Sequence, residues 1–166
     1  DGTLVETAPD LCGAVNSLMR ELGRPGVTLA QTKHMIGDGM AKLTERALEA
    51  TGNACADEEL ATHVARLHDI YMDACCVDTF LYEGVEETLA ELAGEGYLLA
   101  VCTNKPFAPA AIILEKMGVA HYFDGALVGG DTLGTVRKPD AEHLLHAVAV
   151  ARGEARLGSG TRVRLA

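Results

Sequence analysis

Three short stretches of this sequence carry side chains suited to handling a phosphate group. The first is Asp1-Gly2-Thr3, which supplies a carboxylate for proton transfer, a glycine that lets the chain turn, and a threonine hydroxyl and N–H for an anion. The second is Thr103-Asn104-Lys105-Pro106, which follows the apolar run Tyr97-Leu98-Leu99-Ala100-Val101-Cys102. That run, placed after Gly94 and Gly96, reads as a buried parallel strand. Ligands of open α/β sheets bind at the carboxyl ends of such strands, which is where Thr103 stands. The third is Arg137-Lys138-Pro139-Asp140, preceded by the strand-and-turn pattern Ala126-Leu127-Val128-Gly129-Gly130-Asp131. It leads into an amphipathic helix whose Leu144, Leu145 and Val148 are expected to face inward. Lys138 brings a positive charge, and Pro139 suits a first helical turn, where no N–H is needed. Taken singly, each stretch also suits an ordinary polar turn.

The elements that must position these groups can be read from periodicity. Between Asp10 and Phe80 no strand pattern stands out, and the segment reads as four helices. Thr7-Ala8-Pro9 opens one, with Leu11, Val15, Leu18, Met19 and Leu22 on one face and Gly23 past its end. Thr28 and Gln31 have capping-box spacing ahead of a short helix to Ile36. A third helix is expected from about Met40 to Ala50, stopping at Gly52, and a fourth carries Leu60, Val64, Leu67, Tyr71 and Cys75.

The order Asp1-Gly2-Thr3-Leu4-Val5-Glu6-Thr7, then Thr103-Asn104, then Lys138-Pro139 resembles the motifs of the haloacid-dehalogenase-like superfamily, from Asp1 to Val150. The resemblance implies an α/β fold: a Rossmann-like core, here incomplete, made of 1–8 and 81–150, with an inserted all-helical cap at 9–80 and a divergent tail at 151–166. In that family a strand ends in Asp-x-Asp-Gly-Thr. Its first Asp attacks phosphorus to form an aspartyl-phosphate. Asp1 matches the second, which protonates the leaving alkoxide, deprotonates the attacking water, and offers its backbone carbonyl to Mg²⁺. Gly2 and Thr3 would hold the phosphate, Thr103 would donate to a phosphoryl oxygen, Asn104 would position it, and Lys138 would neutralise the transition-state charge. Ile36-Gly37-Asp38-Gly39 resembles a cap loop of phosphoglycolate phosphatases, which makes Gly37, Asp38 and Gly39 substrate-binding candidates. Gly129-Gly130-Asp131 and Glu83-Gly84-Val85 also resemble that family. The implied activity is Mg²⁺-dependent hydrolysis of a small phosphorylated metabolite, 2-phosphoglycolate first. The alternatives are a sugar-phosphate phosphatase, a β-phosphoglucomutase-like enzyme, a haloacid dehalogenase (against which Asp1 argues, since halide displacement needs no acid there), or a non-catalytic fragment.

The resemblance stops after Val150. The family's next motif, Val-Gly-Asp-Ser-x-x-Asp, completes the magnesium site, yet no Asp follows Asp140, and the last stretch carries Arg152, Arg156, Arg162 and Arg164 in a sequence acidic elsewhere. With only two core strands, the 166 residues made as such are expected to be marginally folded and to lack turnover. Net charge −10 argues against nucleic acid, and no apolar run has the length of a membrane span. The five cysteines include no Cys-x-x-Cys pair, which suits free thiols in a reducing cytoplasm and not a zinc site. A monomer or homodimer is expected. His63 and His68, with Asp69 and Asp73, read as a solvated helix face. His34, Arg20, Arg24 and Lys42 are weaker substrate candidates, and His121, His143 and His146 read as surface or packing residues.

Overall fold

The computed structural model of the chain describes residues 2–52 and 56–154. It divides into two compact units, one formed by the described residues of Leu4–Phe80 with Gly2, the other by residues 81–154 with Thr3. No helix among the described residues is long and apolar enough to cross a membrane.

The first unit begins with the two-residue strand β1 (Val5–Glu6), paired with β2 (Phe80–Leu81). Four helices lie between them: α1 (Ala8–Glu21), α2 (Leu29–Met35), α3 (Met40–Thr51) and α4 (Asp57–Asp73). α1 packs on each of the other three, and α3 packs on α4. The helical stripes face one another, so Leu11, Val15, Leu18, Met19, Leu43, Ala47, Leu48, Leu67, Tyr71 and Cys75 are all buried. The α2 start is the expected reciprocal box, in which Thr28 Oγ1 accepts from Gln31 N–H and Gln31 Oε1 accepts from Thr28 N–H.

Two polar side chains fix the irregular backbone of this unit. Asn16 donates to the Val27 carbonyl at 2.9 Å and accepts from the Val27 N–H at 2.7 Å, so one amide serves both main-chain groups of one residue. Asp10, 6% exposed, accepts from the N–H groups of Val77, Asp78 and Thr79 and from the Thr79 hydroxyl. A carboxylate at the start of α1 thereby ties down the turn before β2, whose donors no ladder would satisfy.

The second unit carries α5 (Val85–Gly94), β3 (Val101–Cys102), α6 (Phe107–Lys116), a 3-10 turn at Ala120–Phe123, β4 (Leu127–Val128) and α7 (Ala141–Ala151). β3 and β4 are parallel, with Val101 opposite Leu127 and Cys102 opposite Val128. Ala126, Val128, Ala147, Val150 and Ala151 form the core between β4 and α7, with Cys102 and Phe107 packed against it.

Three sequence expectations fail in this unit. Pro139 stands ahead of α7 and not in its first turn, because the Asp140 side chain, accepting from Glu142 N–H, starts the helix after it. The strand expected over 97–102 is confined to Val101–Cys102, and Tyr97 and Leu98 are 60% and 62% exposed. Apolar content favours a strand only where a neighbour can take its N–H groups, and the ladder begins at Val101, whose N–H meets the Ala126 carbonyl. The inward face of α7 is also different. Leu144, Leu145 and Val148 are exposed, whereas His143, Ala147, Val150 and Ala151 are buried. α7 is apolar around most of its circumference, so spacing alone does not choose its inward face, and the face packed on β3 and β4 is the one carrying His143, Ala147, Val150 and Ala151.

Replacing Asp10 by Ala removes the shared acceptor and leaves the 77–79 amides without it. Denaturant unfolding should show a loss of roughly 2–3 kcal/mol, and a change within error would contradict this role.

Candidate active site

The carboxyl ends of β3 and β4 bring together three loops. At the first, Thr103 N–H continues the ladder by donating to the Val128 carbonyl at 3.0 Å. Its hydroxyl oxygen accepts from the Lys105 N–H at 3.1 Å, which leaves the O–H to donate elsewhere.

The second loop, Gly129-Gly130-Asp131, lies against the first. Gly130 N–H donates to the Lys105 carbonyl at 2.8 Å, and the Asp131 carboxylate accepts from Phe107 N–H at 2.7 Å, capping the start of α6. The contact requires both glycines. A Cβ on Gly129 would come 2.5 Å from the Phe107 nitrogen, and one on Gly130 would overlap the Asn104 carbonyl.

The third loop carries Lys138. Asn104 Nδ2 donates to the Lys138 carbonyl at 3.0 Å, and Asn104 Oδ1 accepts from the Lys138 N–H at 2.9 Å. The Lys138–Pro139 peptide is cis, and Asp140 caps α7 by accepting from Glu142 N–H. Thr103 and Lys138, remote in sequence, are thus bridged by the residue next to Thr103.

Beneath the loops a buried imidazole meets a partly buried thiol. His143 is 0% exposed, and its Nε2 is 3.0 Å from the Gly129 carbonyl. A carbonyl only accepts, so Nε2 carries the proton, and in the neutral ring Nδ1 faces the Cys102 sulfur at 3.5 Å as an acceptor. Burial pushes the Cys102 thiol up from its ordinary range, and the Lys138 charge pulls it part of the way back. The Lys138 charge therefore reaches the residue before Thr103. His143, read from sequence as surface or packing, is a buried strut of this site; no local pattern marks it, because its partners come from β3 and the end of β4.

The remaining candidates stand as follows. Asp1 lies outside the described residues, while Gly2 and Thr3 are exposed, with Gly2 N–H on the Val5 carbonyl. In the helical unit Gly37 and Gly39 have positive φ of 132° and 89°, and Asp38 is paired with Arg46, which also donates to the Met35 carbonyl. Its carboxylate is therefore turned to a neighbouring helix. His34 and Lys42 are exposed, Lys42 pairing with Glu45, and Arg24 donates to the Leu48 carbonyl. Arg20 is also exposed. Among the described residues no group of three or more His, Cys, Asp or Glu could hold a metal ion, His63 and His68 included.

The family model for haloacid dehalogenase-like hydrolases matches residues 1–154. The chain belongs to that family. Among curated hydrolases it is 34% identical over 154 residues to a phosphoglycolate phosphatase of Caulobacter vibrioides, covering 93% of this chain and 64% of that protein. It is 39% identical to one of Cereibacter sphaeroides, covering 93% and 70%. A crystal structure from Haemophilus somnus 129PT, described as a predicted phosphoglycolate phosphatase, superposes with a TM-score of 0.79 at 31% identity, covering 87% of this chain and 65% of that one. The chain thus spans about two thirds of the length of these relatives.

Two outcomes are expected. Gly130→Ala should lower unfolding free energy by about 1–3 kcal/mol through overpacking, whereas Gly13→Ala, at an open helical position, should be neutral or stabilising by up to about 1 kcal/mol. Equal effects would contradict the close approach. Iodoacetamide labelling of Cys102, followed by peptide mass spectrometry, should be slow near neutral pH and accelerate only above the ordinary thiol value of about 8.5; rapid labelling at neutral pH would contradict the upward shift of this thiol.

Proposed function

We propose that this chain is the greater part of a phosphate monoester hydrolase whose substrate is 2-phosphoglycolate. The observation that carries the reading is the bridge from Asn104 to the main chain of Lys138, which brings the residue bearing an ammonium group to the residue after Thr103 at the carboxyl ends of parallel strands. A phosphoryl group needs that pairing, because negative charge spreads over its oxygens in the transition state. The substrate assignment is supported by the names of the Caulobacter and Cereibacter relatives.

In this reading a carboxylate attacks phosphorus, the phosphorus–oxygen ester bond breaks, and an aspartyl-phosphate forms. Asp1 gives a proton to the leaving alkoxide and then takes one from the water that cleaves the acyl phosphate. Thr103 donates its O–H to a phosphoryl oxygen throughout, and Lys138 offsets the charge that grows on the equatorial oxygens. Magnesium is what the family resemblance implies, and it would add a further positive charge at the phosphoryl oxygens. The described residues do not assemble a site for it, and the attacking carboxylate corresponds to the first Asp of the family motif, which stands two positions before Asp1 in that pattern.

The test is phosphate release by the full-length gene product from 2-phosphoglycolate, glucose 1-phosphate and a 2-haloacid, with added Mg²⁺ and with a chelator. Preference for 2-phosphoglycolate, lost on chelation, is expected. Lys138→Ala should reduce kcat by about 10²–10³. Preference for either other substrate, or an unchanged kcat in that variant, would overturn the reading.

A further inference from the structure

We infer that Asn104 is a positioning residue for Lys138 and not a ligand of the substrate, an inference that rests on the phosphatase reading for its kinetic consequences. Its side chain has one acceptor edge and one donor edge. The acceptor takes the Lys138 N–H, and the donor reaches the Lys138 carbonyl, at 2.9 Å and 3.0 Å. Both are ordinary hydrogen-bond lengths. This is the pattern an antiparallel neighbour presents to one residue of a strand, supplied here by a side chain.

The consequence is a fixed origin for the Lys138 side chain. Among the described residues, the nearest other main-chain hydrogen bonds, Val136 N–H to the Leu133 carbonyl and Asp140 N–H to the Arg137 carbonyl, are local turns, and the next tie to β3 is His143 on Cys102, five residues further on. Asn104 is itself held, because Thr103 N–H is in the ladder and the Asn104 carbonyl lies against Gly130. The chain from β3 through Asn104 to Lys138 therefore sets how far the ammonium group stands from the Thr103 hydroxyl. Flexible lysine has many rotamers, and anchoring its main chain at two points restricts where the charge can reach.

The molecule contains its own control. Asn16 makes the same two-bond contact with Val27, at 2.9 Å and 2.7 Å, between two parts of the helical unit. Val27 is buried and apolar, with no chemistry to position. The same device serves packing in one place and, by this inference, catalysis in the other.

The experiment uses the full-length gene product with Asn104→Ala, Asn104→Asp, Lys138→Ala, the double variant Asn104→Ala/Lys138→Ala, and Asn16→Ala. Asn104→Ala should lower kcat by about 10–100-fold with KM nearly unchanged. Asn104→Asp, which keeps the acceptor and loses the donor, should fall between wild type and Asn104→Ala. In the Lys138→Ala background the Asn104 change should cost no more than about 2-fold, because the charge it aims is gone. Asn16→Ala should lower the melting temperature and leave kcat in place. Fully additive losses, or a rise in KM with kcat unchanged, would place Asn104 on the substrate and overturn the inference. Amide exchange of Lys138 decides the clamp without activity: faster exchange in Asn104→Ala is expected, and an unchanged rate would overturn it. A wild type inert toward every phosphomonoester would sink the proposed function, while the exchange rates would still judge the clamp.

Discussion

The Asn104 carbonyl oxygen occupies the space that a side chain at position 130 would need, and the rest of the site follows from that contact. Two loops at the ends of adjacent parallel strands can lie this close only if one of them has no Cβ. Once they do, Gly130 N–H reaches the Lys105 carbonyl and Asp131 reaches the first amide of α6. His143 then spans from the Gly129 carbonyl to the Cys102 thiol underneath. Closeness at one backbone pair thus fixes the direction in which Thr103 and Asn104 leave β3.

Strand is scarce in both units, since β1, β2, β3 and β4 have two residues each. Polar side chains take over the backbone bonding that longer strands would provide. Asn104 on Lys138, Asn16 on Val27 and Asp10 on the 77–79 turn are three cases of one solution. Each amide or carboxylate satisfies at least two main-chain groups of an irregular segment, and for Val27 and Thr79, which are buried, those groups would otherwise be costly to leave unpaired. The same economy explains why small changes at these positions should act at a distance from their own side chains.

Much of the helical unit was legible in the sequence. The α1 stripe of Leu11, Val15, Leu18 and Met19, the Thr28–Gln31 box and the stop at Gly52 all depend on local spacing, and the structure has each of them. Thr103 could also be singled out, because a polar group after an apolar run marks a strand end, whereas Lys138 stood out only through the resemblance of Lys138-Pro139 to a family motif. Pairing was not legible. Tyr97 and Leu98 have the composition of a buried strand but no partner for their backbone, and Leu144, Leu145 and Val148 have helical spacing but lie on the uncovered side of α7. His143 and the Asn104–Lys138 bridge were hidden for the same reason, since their contacts join residues far apart in the chain.

The most direct test of the account is a crystal structure of the full-length gene product with a tetrahedral oxyanion such as tungstate bound. The account predicts an anion oxygen about 3 Å from both the Thr103 hydroxyl and the Lys138 ammonium, with the Asn104 amide still engaged on the Lys138 main chain. An anion bound elsewhere, or an Asn104 side chain turned from Lys138 onto the anion, would contradict it.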